Sequence, residues 1–400
     1  MATVPERQAV QQSSGSRDRF WTPRFWDGMN LTGWIRLLVR NRFAVGPTCI
    51  PMALIVTVAS LVNSFLGAVQ AIIFGRKIRQ TQIEHDPIFV IGHWRTGTTL
   101  VHELLALDPR HTYPDTHTCF NPNHFLISGW LLKPCLGFLL PARRPMDNME
   151  AGWDHPQEDE FALCNMGVRS PYLTLAFPNR PPQDREYLDL EGLSPRALAR
   201  WKRAMVWFLK CLTVRDPRRI VLKSPPHTCR IKVLLELFPN ARFVHLVRDP
   251  YVIFPSTIHL WKRLCRAQGL QIPKHRHLEE HVFDSLNRMY EVFERDRRLI
   301  AESRLCEVRY EDLVREPIEQ MRMIYDRLGL GEFDKVLPAL QEYVERQAEY
   351  KTNRYELTEE TRAEISHRWG SYIKQYGYST EPAEAGATSV ISVSLRGQSP

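Results

Sequence analysis

The chain has 400 residues, 44% of them hydrophobic and 24% charged, which is enough to bury one large core plus an accessory segment and excludes a disordered or fibrous protein. Its net charge of +8 suits a polyanionic ligand or an anionic membrane surface and is equally tolerable in an ordinary soluble enzyme. The eight cysteines stand far apart with no C-x-x-C pair, so no zinc or redox motif supports nucleic-acid binding, and a cytoplasmic fold with reduced core thiols is expected.

In chain order, residues 1–19 carry charges and polar runs without an apolar centre, so they are expected to be disordered and not to form a signal peptide. Residues 20–43 interleave Trp21, Trp26 and Trp34 with Arg24, Arg36, Arg40 and Arg42, and Arg19 stands just before them. Two readings stay open there: an interfacial helix on anionic lipid, or a surface helix whose aromatics pack on the domain that follows. Residues 52–74 contain 23 positions without a charge, long enough to cross a bilayer at about 1.5 Å per residue. Asn63, Ser64 and Gln70 dilute that run, and basic residues flank both ends, so spanning, re-entrant and buried-helix readings remain. Residues 20–80 thus form an apolar helical segment that is either membrane-associated or packed on the domain.

From 81 to 380, apolar runs alternate with helical periodicity, which predicts an α/β catalytic domain with a mostly parallel central sheet. Strands are expected at 88–91, 219–223, 241–248 and 305–310, and helices at 196–212 and 229–238. The segment 120–145 is unusually apolar between prolines and reads as an acceptor-side lid, a lipid-facing patch or a helical hairpin. Residues 381–400, rich in Ala, Ser, Gly and Pro, read as a flexible tail.

The stretch 87–109 carries the strongest signal. A buried strand runs into Gly92, then a polar loop with Arg95, Thr96, Gly97, Thr98 and Thr99, then a helix. Glycines let the backbone approach a ligand, and the amides at a helix start stabilise phosphate or sulfate. The spacing imitates a nucleotide-triphosphate loop, but Thr98 stands where that loop needs lysine. A second strand ends at Arg248-Asp249-Pro250, with Ser256 eight residues after the arginine. In open α/β sheets ligands bind beyond the carboxyl ends of the strands, so Arg248 and Ser256 are expected to face the same crevice as the first loop and to suit one dianionic phosphate.

Together these motifs resemble the sulfotransferase superfamily that uses 3'-phosphoadenosine-5'-phosphosulfate (PAPS), closest to its bacterial branch, over residues 87 to about 378. The resemblance implies a P-loop-like three-layer fold, with Arg95 to Thr99 holding the 5'-phosphosulfate and Arg248 and Ser256 the 3'-phosphate. It places Tyr310, in Tyr310-Glu311-Asp312-Leu313, near the adenine, against the rival reading of a tyrosine that anchors the helix. Lys223 matches a lysine that reaches the transferring group in related enzymes. Pro255 departs from the pattern and is expected to shift the start of its helix. The C-terminal R-K-G-x-x-G-D-W element of the cytosolic branch is missing, which leaves Arg354 or Arg368 to close the purine side.

The implied reaction moves a sulfuryl group from PAPS to a hydroxyl or amine, on a small-molecule, lipid-like or glycan acceptor, releasing adenosine 3',5'-bisphosphate (PAP). No metal is expected, because positioning and positive charge suffice for a loose transition state. A general base must take the acceptor's proton. Glu158 is the first candidate, ahead of His117 and Asp115; the competing account makes the acids at 158–160 ordinary first-turn residues of a helix. A P-loop kinase or NTPase and a non-catalytic, membrane-associated anion-binding scaffold are the alternative functions.

Overall fold

The computed structural model describes residues 24–129, 152–347, 355 and 357–380. The expected disordered stretch 1–19, the tail 381–400, residues 130–145 of the apolar segment and Arg354 lie outside the described residues.

Five parallel strands form the sheet: β1 (Ile88–Gly92), β2 (His111–Thr112), β3 (Arg219–Lys223), β4 (Arg242–Val247) and β5 (Leu305–Arg309), in the order β2-β3-β1-β4-β5. All but β2 were expected; two residues are too short to show an alternation. β1 is buried along its whole length, which is why it reads as an unbroken apolar run. Its side chains alternate between two cores. Ile88 and Val90 join the cluster beneath the helices Thr98–Ala106 (α3) and Pro317–Leu328, whereas Phe89 and Ile91 join the larger cluster that includes Pro195–Arg215 and Leu278–Asp296. Helices therefore cover both faces, giving three layers. From β1 the chain crosses through α3 to β2 and β3 on one side, then returns past β1 to β4 and β5. The connections thus diverge between β1 and β4, and the crevice lies at their carboxyl ends.

The N-terminal segment forms two helices, α1 (Leu31–Arg40) and α2 (Ile50–Gln80). Asn30 caps α1 by accepting from the Gly33 amide at 2.8 Å. Trp26 and Trp34 are fully buried and stacked, with ring centroids 5.6 Å apart, and the Trp26 indole N–H donates to the Gln268 carbonyl at 3.0 Å. These aromatics therefore pack on the domain and do not face lipid: each indole finds apolar contact and a hydrogen-bond acceptor inside the protein. α2 lies against α1 and Pro195–Arg215 with one face only. Ser60, Asn63 and Gln70 are buried on that face, while Phe65 and Ile72 on the other are 68% and 83% exposed.

Candidate active site

The loop after β1 is shaped by steric demands. Gly92 has φ +146°, and a Cβ there would meet Thr96 Oγ1 at 2.6 Å and the Leu246 carbonyl at 2.7 Å. The Thr96 amide and hydroxyl both donate to the His93 carbonyl, at 3.2 and 2.7 Å, closing the turn. Arg95 and Gly97 both take positive φ, 72° and 95°, and Gly97 leads into α3 with no side-chain cap. The first amides of that helix have no acceptor within it and stand at the positive end of its dipole. Thr98 is buried and Thr99 half-buried in this first turn. A Cβ on Gly97 would lie 2.3 Å from Tyr310 Cδ2, so the glycine is where the loop and the tyrosine ring touch.

The loop after β4 closes on the same spot. Asp249 caps the helix Pro250–Gln268 by accepting from the Tyr251 amide at 2.8 Å, with Pro250 at its first position. The helix starts there and runs through Pro255, so the proline does not displace its beginning. Ser256 is buried, and its Oγ accepts from Arg95 Nε at 2.8 Å. Arg248 Nη1 donates to the Arg95 carbonyl at 2.9 Å, and its guanidinium carbon lies 3.9 Å from the centre of the Tyr310 ring. The Tyr372 hydroxyl accepts from the Arg248 amide at 3.1 Å and donates to its carbonyl at 2.9 Å. Arg95, Gly97, Arg248, Ser256 and Tyr310 thus form one cluster at the divergence between β1 and β4.

At the end of β3, buried Lys223 meets Glu158 with Nζ to Oε1 at 2.8 Å. The Tyr172 hydroxyl donates to Glu158 Oε2 at 2.6 Å, and the Trp94 indole N–H donates to that hydroxyl at 2.7 Å. Burial and the adjoining Glu158 push the Tyr172 phenol well above its usual range, so it stays protonated and donates. Because Trp94 belongs to the β1 loop, the chain Lys223, Glu158, Tyr172, Trp94 ties the end of β3 to that loop.

The three acids at 158–160 divide sharply. Glu158 precedes the helix Asp159–Asn165 without capping it through its side chain. Asp159 is fully buried, accepting from Ser224 Oγ at 2.9 Å and meeting His227 Nε2 at 2.7 Å; burial pushes its carboxyl up, but these partners outweigh it and hold it below the usual range. Glu160 binds Arg230 through both oxygens, at 2.6 and 3.1 Å, and accepts from Ser170 Oγ at 2.5 Å. Asp115 caps the helix Thr116–Phe120 (α4) at 2.7 Å from the Thr118 amide and pairs with Arg215 at 2.9 Å. His117 is buried in α4 and lies edge-on to Trp153. Arg368 is held by Glu280, Asp284 and Glu364, over the Phe283 ring. Sequence reasoning passed over Tyr172 and Tyr372, which carry no local motif, and Trp94, which stands next to Arg95 and could have been found there.

Residues 87–335 match the model of the Sulfotransferase family. Over 378 residues the chain is 49% identical to the omega-hydroxy-beta-dihydromenaquinone-9 sulfotransferases of Mycobacterium bovis and Mycobacterium tuberculosis, covering 94% of this chain and 97% of each relative. Its fold is similar to the crystal structure of a Mycobacterium avium sulfotransferase, with a TM-score of 0.63 at 20% identity over 83% of this chain and 86% of that one. A second, from Mycobacterium tuberculosis, gives a TM-score of 0.58 at 19% identity over 86% and 93%.

Proposed function

The chain belongs to the sulfotransferase family and transfers a sulfuryl group, and we propose that it takes that group from PAPS and delivers it to a terminal hydroxyl on an isoprenoid, lipid-like acceptor at the cytoplasmic face of a membrane. Family membership sets aside the kinase and scaffold alternatives. The observation that carries the donor assignment is the contact of Arg95 with Ser256 and of Arg248 with the Arg95 carbonyl. It joins two phosphate-suited loops into one patch, as a nucleotide with a 5'-phosphosulfate and a 3'-phosphate requires. Gly97 lets the Tyr310 ring pack directly on the loop, where a Cβ would clash with Cδ2 at 2.3 Å, and so keeps Tyr310 beside the proposed donor site. The acceptor class rests on the 49% identity to enzymes named for an omega-hydroxylated menaquinone, and the cytoplasmic placement on the free thiols of the seven described cysteines.

In this reading Arg95 and the amides from Gly97 to Thr99, with the Thr96, Thr98 and Thr99 hydroxyls nearby, hold the 5'-phosphosulfate. Arg248 and Ser256 hold the 3'-phosphate, and Tyr310 flanks the base. Glu158 takes the acceptor hydroxyl's proton as that oxygen bonds to sulfur and the bond from sulfur to the phosphate oxygen breaks, releasing PAP. Lys223 supplies positive charge to the departing oxygen. Tyr172, steadied by Trp94, fixes the orientation of the Glu158 carboxylate. Asp115 and His117 serve this site from α4 as structural supports, the first committed to Arg215 and the second packed on Trp153.

Calorimetric titration of the full chain with PAP, and separately with ATP and magnesium, tests the donor site. PAP is expected to bind preferentially, and Arg248→Ala to weaken it by about 10- to 100-fold, the worth of one charge-assisted contact to phosphate. Preferential ATP binding would overturn the assignment.

A further inference from the structure

The outer face of α2 takes no part in the proposed reaction. Its apolar residues recur at helical spacing: Leu54, Val58, Leu61, Phe65, Ile72 and Ile73 are all more than half exposed. Leu54 to Ile73 spans about 28 Å at 1.5 Å per residue, so the stripe is continuous along most of the helix. The opposite face is fastened to the domain by its polar side chains. Asn63 Nδ2 donates to the Asp27 and Met29 carbonyls at 3.2 and 3.3 Å, and Gln70 Oε1 accepts from the Leu126 amide at 2.8 Å. Ser64 Oγ accepts from the Leu31 amide at 2.8 Å, and Thr57 Oγ1 from the Trp34 indole at 2.9 Å.

We propose that this face seats the enzyme on an anionic bilayer, with α2 lying in the plane of the surface and not crossing it. Crossing would strip α2 from the domain and carry Asn63, Ser64 and Gln70 into hydrocarbon without these partners, which is costly. Lying flat keeps every one of those bonds and removes the apolar stripe from water. Charge selects the occupant. Between Asp27 and Glu84 the sequence holds no acidic residue, while Arg42, Arg76, Lys77 and Arg79 are exposed around the ends of the stripe. Ile73, Arg76, Lys77, Gln80 and Thr81 line a shallow surface hollow of about 420 Å³ at one of those ends, fit for a phosphate headgroup. A second copy of the chain would bring the same cations face to face, so the pattern favours anionic lipid over self-association.

The test is flotation of the full-length chain with vesicles of phosphatidylcholine alone or with about one-third phosphatidylglycerol, on the scale at which juxtamembrane cations respond to surface charge. The chain is expected to float with the anionic vesicles, less so at high salt, and to be released by alkaline carbonate. Leu61→Glu with Phe65→Glu, and separately Ile72→Glu, are each expected to lower the bound fraction about tenfold or more while PAP affinity stays unchanged. Unchanged PAP binding separates failure of this proposal from failure of the donor assignment. Three outcomes overturn it: a chain that stays in solution with both vesicle types, a chain that resists carbonate, or a soluble dimer that Phe65→Glu dissociates.

Discussion

The carboxyl edge of the sheet and the outer face of α2 both run against the usual sorting of side chains, and in opposite senses. At the sheet edge the protein buries charge: Lys223, Asp159, Glu160 and Arg230 are almost wholly inside. Along α2 it exposes apolar side chains while turning Asn63 and Gln70 inward. The buried charges are tolerable because they come in pairs with further hydrogen bonds, as Glu160 has from Ser170 and Arg230. The exposed apolar stripe has no such answer among the described residues, which is why a partner outside them is proposed for it. We propose that the first kind of irregularity marks a site for a reaction and the second a site for a surface.

Two changes sharpen the comparison. The larger concerns Glu160, whose loss would leave Arg230 charged, fully buried and without its carboxylate. Glu160→Ala is expected to cost about 3–5 kcal/mol in the urea unfolding free energy; a loss below about 1 kcal/mol would mean that the pair does not stabilise the fold. The smaller concerns Asp27, beneath α2. Its Oδ1 is buried without a hydrogen-bond partner among the described residues, and burial raises the carboxyl to about 6 despite the Arg24 amide bonded to Oδ2 at 2.8 Å. Because the folded value lies above the unfolded one of 3.8, the folded chain holds the proton more tightly. This group's contribution is therefore full below pH 3.8 and lost as pH rises through about 6. The difference amounts to roughly 2–3 kcal/mol. Asp27→Asn is expected to flatten that part of the stability profile between pH 4 and 7, and an unaltered profile would assign the dependence elsewhere.

Much of the sheet was legible because its strands are short apolar runs ending at candidate site residues. Gly92, Lys223 and Arg248 each follow or close such a run, and the predicted strand limits differ from the observed ones by a residue or so. That Arg95, Arg248 and Ser256 come together was legible too, since loop spacing fixes the two arginines at the ends of two strands. The division among Glu158, Asp159 and Glu160 was not: three adjacent acids look alike until tertiary contacts give His227 to one, Arg230 to another and Lys223 to the third. The readings of α2 stayed open for the same reason. Asn63 and Gln70 looked like dilution of an apolar run, and only packing reveals that they share the face turned toward Met29 and Leu126. β2, two residues long, is defined by pairing with β3 and by nothing local.

We propose that Glu158, held between Lys223 and Tyr172, works on a nucleotide bound by Arg95, Arg248 and Ser256. The most direct test is formation of a sulfate ester from PAPS on an omega-hydroxylated isoprenoid quinone by the wild-type chain and by Glu158→Gln, with PAP affinity measured on both. The account predicts ester and PAP in equal amounts from the wild type. It predicts that the variant keeps its PAP affinity within about twofold while turnover falls about 10²- to 10⁴-fold, the usual worth of a general base. Wild-type turnover in Glu158→Gln, or no ester from the wild type on such a hydroxyl, would contradict it.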